Sequence, residues 1–331
     1  MTVETLSLYA NVLVYSAMAV YVVAFITFAL DLARVVAPVE RAVTTASVAR
    51  MRVLAGSVPI AVADRPSSGE VSQSPSSRAN AAPPRSRFSR VALALTALAW
   101  VLHVAATALR GVAAHRVPWA NMFEFTLTSS AVIVAIFLVV QLWQRLEFLG
   151  VFILGFTTLA LGIATTNFYV DIVPLQVSLQ SGWLIVHVFV AASGTAFLAI
   201  GAALSLAQLL QTRHETLGKG PKFLTRLPSS EQLETLAYRV IIVGFVFWTF
   251  TLMAGAIWAE RAWGRYWGWD TKEVWTFIIW TTFAGYIHAR ATRGWRGSRS
   301  AWLALVGFTA VIFNFTIVNI FFKGWHAYSG L

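Results

Sequence analysis

The chain has 331 residues, of which 58% are hydrophobic and only 12% charged, with a mean hydropathy of +0.69. That balance excludes an ordinary soluble domain and reads as a polytopic membrane protein. The formal charge of +11 suggests a polyanion partner at first sight, but the basic residues follow the loops between apolar runs. They therefore report topology, and no nucleic-acid partner is expected.

Eight apolar runs lie near 8–30, 91–109, 123–143, 148–166, 183–210, 237–259, 275–289 and 301–322. Crossing the apolar core of a bilayer, about 30 Å thick, takes roughly 20 helical residues. The expected fold class is all-α, an integral membrane protein of about eight transmembrane helices in contact with lipid. The first run lacks a basic flank before it and exceeds the apolar stretch of a secretory signal, so residues 1–30 read as an anchor. Residues 31–90, rich in Ser, Pro, Ala and Arg over 60–90, read as a linker disordered in part. Residues 91–331 then form a seven-helix unit. Assigning loops alternately to two sides puts eighteen Lys/Arg in 31–90, 144–147, 211–236 and 290–300, against six on the other side. The positive-inside rule places the basic side in the cytoplasm and both termini outside. The chain has no cysteine and so performs no thiol exchange of its own.

The segment joining the sixth and seventh runs, "ERAWGRYWGWDTKEVW" at 260–275, interleaves Trp263, Tyr266, Trp267, Trp269 and Trp275 with charge. Aromatic belts form at membrane interfaces whatever a protein binds. The density here, and the glycines between the rings, point further, to a shelf for a flat apolar ligand. If the segment is helical, Trp263 and Trp267 share a face that Asp270 continues. Glycines at 264 and 268 would let a planar ligand approach the backbone.

The expected topology brings two of the six histidines to the same side as this segment. His187 lies one turn into the fifth run, and His326 follows the eighth in "KGWHAYSGL". Two neutral imidazoles beside indole rings suit haem, with His187 and His326 as axial ligands of the iron. Arg261, Arg265 or Lys272 could pair with its propionates. Asp270 is read as an anchor of the segment. His288, in "GYIHARATRGW", lies near the opposite end of the seventh run, and His103 near the middle of the second; either could ligate a second, deeper haem. No P-loop, dinucleotide fingerprint, zinc-protease motif or nucleophile elbow is present.

The run "WGRYWGWDTKEVW" resembles the tryptophan-rich motif of haem-handling membrane proteins in cytochrome c maturation. Within that group the chain is similar to the system II branch, the CcsA/ResC type, called CcsB in some lineages. "LRGVAAHRVPWANMFEF", with Asn121 and Glu124, extends the likeness, as do "GWLIVHVFVAASG" around His187, "GYIHAR" around His288 and "GWHAYSG" around His326; together they cover about 100–331. The resemblance implies a subunit of a cytochrome c synthase in the bacterial plasma membrane. It would move haem b to the outer face and present it for thioether attachment to the CxxCH cysteines of apocytochrome c. It also implies a ResB-like membrane subunit, which would bring the second ligand of a deep haem site, with His103 as the internal alternative, and a thioredoxin-like reductant for the substrate thiols. The 31–90 loop has no counterpart in that pattern. A haem exporter without synthase activity, a b-type electron-transfer protein and a cofactor-free transporter are the competing expectations.

Overall fold

The computed structural model describes residues 2–34, 85–292 and 294–326. Most of the expected linker, 35–84, lies outside the described residues, as does the tail from 327 onward. Eight long helices stand where eight apolar runs were expected: α1 Val3–Arg34, α2 Arg87–Ala114, α3 Met122–Val140, α4 Leu149–Asn167, α5 Gly182–Leu217, α6 Ser230–Trp263, α7 Thr271–Thr292 and α8 Ser298–Phe315. A five-residue helix, α9 Ile317–Phe321, follows α8 after a break at Thr316. Only helices and closed barrels satisfy every backbone polar group inside a bilayer, and no strand occurs among the described residues. The chain is a multi-pass membrane protein.

Most helices overrun their apolar stretches because polar caps, rather than hydropathy, set their ends. Ser86, Asn121 and Ser181 open α2, α3 and α5 by accepting a backbone N–H, and Ser229 with Gln232 forms a capping box for α6. Helix α5 runs 36 residues, about 54 Å at 1.5 Å per residue, well beyond the apolar core. Seven of the eight long helices are apolar enough as well as long enough to cross a membrane. The eighth, α7, has the length, 22 residues, but carries Lys272, Glu273, His288, Arg290 and five threonines.

Helix α5 is the hub, packing on α3, α4, α6 and α8. One apolar core forms among α1–α5, around Tyr21, Phe28, Phe137, Leu154 and Ile200. A second forms among α5–α8, around Leu198, Ile241, Trp248, Phe283 and Val311. Two buried carboxylates clamp the ends. Glu124, fully buried, accepts from Arg110 Nε at 3.1 Å, Arg116 Nη1 at 2.6 Å and the Ala120 N–H at 2.9 Å. At the opposite ends of the helices, Glu234 of α6 holds Arg290 of α7 at 2.7 Å and the Gly297 N–H before α8 at 2.9 Å.

The two kinds of ion pair differ in worth. Replacing Glu124 by Ala strands two buried guanidinium groups, and a broken buried pair costs about 3–5 kcal/mol. Thermal unfolding in detergent is therefore expected to show a large drop in midpoint for Glu124→Ala. The Arg85–Glu147 pair, 31% and 19% exposed, is worth at most about 1 kcal/mol. Glu147→Ala is expected to move the midpoint little, and equal shifts for the two variants would contradict the clamp.

Candidate functional site

A cavity of about 460 Å³ opens between the two cores, within the size range of ligand pockets. Its roof is built from the start of α5, the end of α6, the start of α7 and the segment after α9. His187, Lys272, Glu273, Asn319 and His326 all line it. The topology thus collects at one end of the bundle the polar groups that the sequence scatters over 140 residues.

His187 projects from the second turn of α5 onto α6. Its Nδ1 lies 3.0 Å from the Thr251 carbonyl. A carbonyl only accepts, so Nδ1 carries the proton and the neutral ring keeps its lone pair on Nε2. The Nδ1–Cε1 edge of the ring rests against the α6 backbone because residue 255 has no side chain. A Cβ there would meet His187 Cε1 at 2.8 Å and Nδ1 at 2.9 Å. Trp258, one turn further along α6, lies parallel to the imidazole, with centroids 5.7 Å apart and planes at 10°.

His326 is fixed in the same manner by a different partner. Its Nδ1 donates to Asp270 Oδ2 at 2.7 Å, again leaving Nε2 without a hydrogen bond among the described residues. The Asp270 carboxyl is held below the ordinary aspartate range, first by this hydrogen bond, with the backbone N–H groups of Lys272 and Trp325 assisting. His326 touches the edge of Trp263 at 4.7 Å and Trp258 at 5.5 Å. Because both imidazoles contact Trp258, their centroids lie within about 11 Å of each other.

The tryptophan-rich segment is not helical, which corrects the expectation of a shared Trp263–Trp267–Asp270 face. Helix α6 stops at Trp263 because Gly264 takes a left-handed C-cap (φ 70°, ψ 21°). The next helix starts at Thr271, where Glu273 reaches back to the N–H groups of Asp270 (3.1 Å) and Gly268 (2.8 Å). The loop between them folds around Arg265. Its guanidinium lies 4.7 Å from the Trp325 ring and fills the space at Gly268, where a Cβ would fall 1.5 Å from Nη1. Gly268 therefore makes room for an arginine of the protein itself, not for a ligand. Nε and Nη2 of Arg265 are buried without a hydrogen-bond partner among the described residues.

The other expected residues divide. Trp267 and Tyr266 line the cavity, with Tyr266 largely exposed at its edge. Trp269 is 75% exposed, has φ 59°, unusual for a bulky residue, and sets its ring edge-on to Trp267. Trp275 is not on the cavity: its ring packs on Phe313 of α8, 4.3 Å away, where it serves helix packing. His103 is fully buried against Tyr21, with Nδ1 3.3 Å from the hydroxyl. His288 is exposed, 16 residues or about 24 Å along α7 from Lys272. These two are not brought together, since α2 packs on α1 and α3 whereas α7 packs on α6 and α8.

Sequence reasoning overlooked Trp258 and Gly255 because both sit inside an apolar run. Their one signal is the spacing Gly255-x-x-Trp258-x-x-x-Ala262, a single helical face leading to the tryptophan-rich loop. Lys272, one of the three cations expected beside the segment, is the one that lines the cavity, where its ammonium hydrogen-bonds the Asn319 amide oxygen.

Comparison with known proteins accords with this architecture. A sequence profile of the family described as cytochrome C assembly protein matches residues 88–326. The cytochrome c biogenesis protein CcsA of Parasynechococcus marenigrum (strain WH8102) is 40% identical over 176 residues, covering 47% of this chain and 58% of that protein. The CcsA of Chlamydomonas reinhardtii is 42% identical over 157 residues, covering 47% of this chain and 43% of that protein. The chain thus spans about half the length of the curated relatives it matches. Among solved structures, a cytochrome c heme lyase, CcmF, superposes with a TM-score of 0.61 over 95% of this chain and 47% of its own, at 18% identity, a likeness of fold alone. With its profile match running from the start of α2 to the cavity histidine His326, this chain belongs to the cytochrome c assembly protein family.

Proposed function

We propose that this chain is a haem-handling subunit of a cytochrome c synthase, holding haem as substrate at the outer face of a bacterial plasma membrane for transfer to apocytochrome c. One observation carries the reading: His187 and His326 line the same cavity, each held through Nδ1 and each with no hydrogen bond on Nε2 among the described residues. That is the arrangement by which a protein offers imidazole to a metal, with the second nitrogen fixing tautomer and ring direction. The cavity also suits the rest of a porphyrin. Indole and apolar walls supply contact area, while Lys272, which lines the cavity, supplies a cation for a propionate.

The residues can be assigned roles in the transfer. His187 lies in a packed helix and serves as the permanent ligand. His326 lies in a short terminal segment held by Asp270, Trp263 and Trp325, and is the ligand that an incoming CxxCH histidine would displace. Displacement aligns the substrate sulfurs with the vinyl groups, a positioning effect. Each sulfur then bonds to one vinyl carbon and the thiol proton goes to the other, with no net gain or loss of electrons. Because the chain lacks cysteine, it offers no competing thiol. A thioredoxin-like protein would keep the substrate thiols reduced. His288 faces outward with no histidine beside it among the described residues, so a second ligand there would come from the ResB-like partner. The excess of Lys/Arg on the opposite side supports the outer placement of the cavity roof. The separation of His103 from His288 disfavours an electron-transfer protein that pairs its histidines across packed helices.

Absorption spectra of the chain purified with its partner test the ligands. His187→Ala or His326→Ala is expected to weaken haem binding at least about tenfold or change the ligation state, with partial recovery on adding imidazole. Unchanged spectra in both variants would remove the assignment. The supporting contacts give a second prediction. Asp270→Asn is expected to lower haem affinity by about 10–100-fold, the usual penalty for losing a partner behind a metal ligand. Gly255→Val, which pushes on the His187 ring, is expected to mimic His187→Ala while the protein stays folded by circular dichroism; wild-type affinity in both variants would show that the imidazoles are not held as described.

A further inference from the structure

The cavity is much deeper than two imidazoles require. On α5 its lining runs from Leu184 to Thr195, and on α6 from Ala259 back to Trp248. Twelve residues, eleven helical steps, span about 16 Å of helix, roughly half the apolar core of a bilayer. His187 lies near the top of this range, and the wall below it is made of Val188, Ala191, Leu252 and Val311. The roof, in contrast, is tied together by contacts within the protein: Asp270 with His326, Arg265 with Trp325, and Trp258 with Trp263.

The side wall between α4 and α8 is thinly packed. Helix α4 packs on α1, α3 and α5, and α8 on α5, α7 and α9, without comparable packing between the two. What bridges them is one pair of rings, Phe156 and Phe308, with centroids 6.3 Å apart. Leu159, Ile163 and Ile312 line the cavity, yet are 64%, 45% and 40% exposed. The same side chains thus face the cavity and the surface that acyl chains cover.

We propose that this gap is a lateral portal through which haem passes sideways from the bilayer into the cavity and rises to the His187–His326 end. The proposal rests on the haem reading above. An apolar macrocycle with one acidic edge fits the route: apolar walls at depth, continuous with imidazoles and the Lys272 cation at the top.

Because the native chain has no cysteine, Leu159→Cys with Ile312→Cys, made in the complex with its partner, gives the only thiols in this chain. In nanodiscs, the pair is joined by a reducible bis-thiosulfonate linker, and haem uptake from haemin-loaded phosphatidylcholine vesicles is followed at the Soret band. The linked protein is expected to take up haem at least tenfold more slowly, and reduction of the linker to restore the rate. Protein loaded before linking is expected to keep its spectrum. A second variant covers failure of the linkage: Ala160→Trp with Ile312→Trp, filling the gap, is expected to slow uptake likewise, with Val243→Trp on the outer face of α6 as the neutral control. Uptake at the unlinked rate in both designs would overturn the portal while leaving the haem site intact. Protein that takes up no haem even before linking would overturn the haem reading and the portal with it.

Discussion

An imidazole has two nitrogens, and what happens to one decides what the other can do. At this cavity Nδ1 is taken twice, by a backbone carbonyl at His187 and by a carboxylate at His326. Both contacts fix the tautomer and point Nε2 elsewhere. Every other feature of the roof follows from that need. Position 255 lacks a side chain so that the His187 ring can reach the Thr251 carbonyl. Asp270 is placed for His326 by the same turn that starts α7, so helix capping and imidazole positioning share one carboxylate. Trp258 and Trp263 fill the space beside the two rings and limit how either can turn.

The two supports differ in stiffness, and the difference is chemically useful. His187 is held by a helix-to-helix contact between α5 and α6, the most extensive pairing in the bundle. His326 is held by one hydrogen bond and ring contacts from a segment beyond the last helix. Under the proposed function, this difference supplies a ligand that stays and a ligand that leaves. The buried clamps at Glu124 and Glu234 serve the same end at a distance. They tie α2 to α3 and α6 to α7, so that a cavity lying between two cores does not collapse for want of packing.

Much of the fold was legible because the bilayer dictates it. A run of about 20 apolar residues has few alternatives to a membrane helix; each expected run became a helix, and seven of the eight are long and apolar enough to cross a membrane. The ends were less legible, since caps such as Ser86 and Ser229 lie in polar sequence that hydropathy does not see. The loop at 264–270 was partly legible: a glycine after Trp263, and an aspartate three residues before Glu273, are stop and start signals that override a helical face. Within the site, His187, His326, Trp263, Trp267 and Asp270 meet as the topology suggested. Trp275 does not, because its ring turns to Phe313. Trp258 and Gly255 were hidden for a simple reason. In a helix apolar on all sides, an indole and a missing side chain produce no contrast, and only the partner helix reveals them.

The account rests on two Nε2 atoms sharing one iron. Electron cryo-microscopy of the haem-loaded protein with its partner addresses that directly. Iron is expected between Nε2 of His187 and Nε2 of His326, with the Thr251 carbonyl and the Asp270 carboxylate still on the Nδ1 atoms. Density for haem elsewhere, or iron in this cavity bound to neither imidazole, would contradict it.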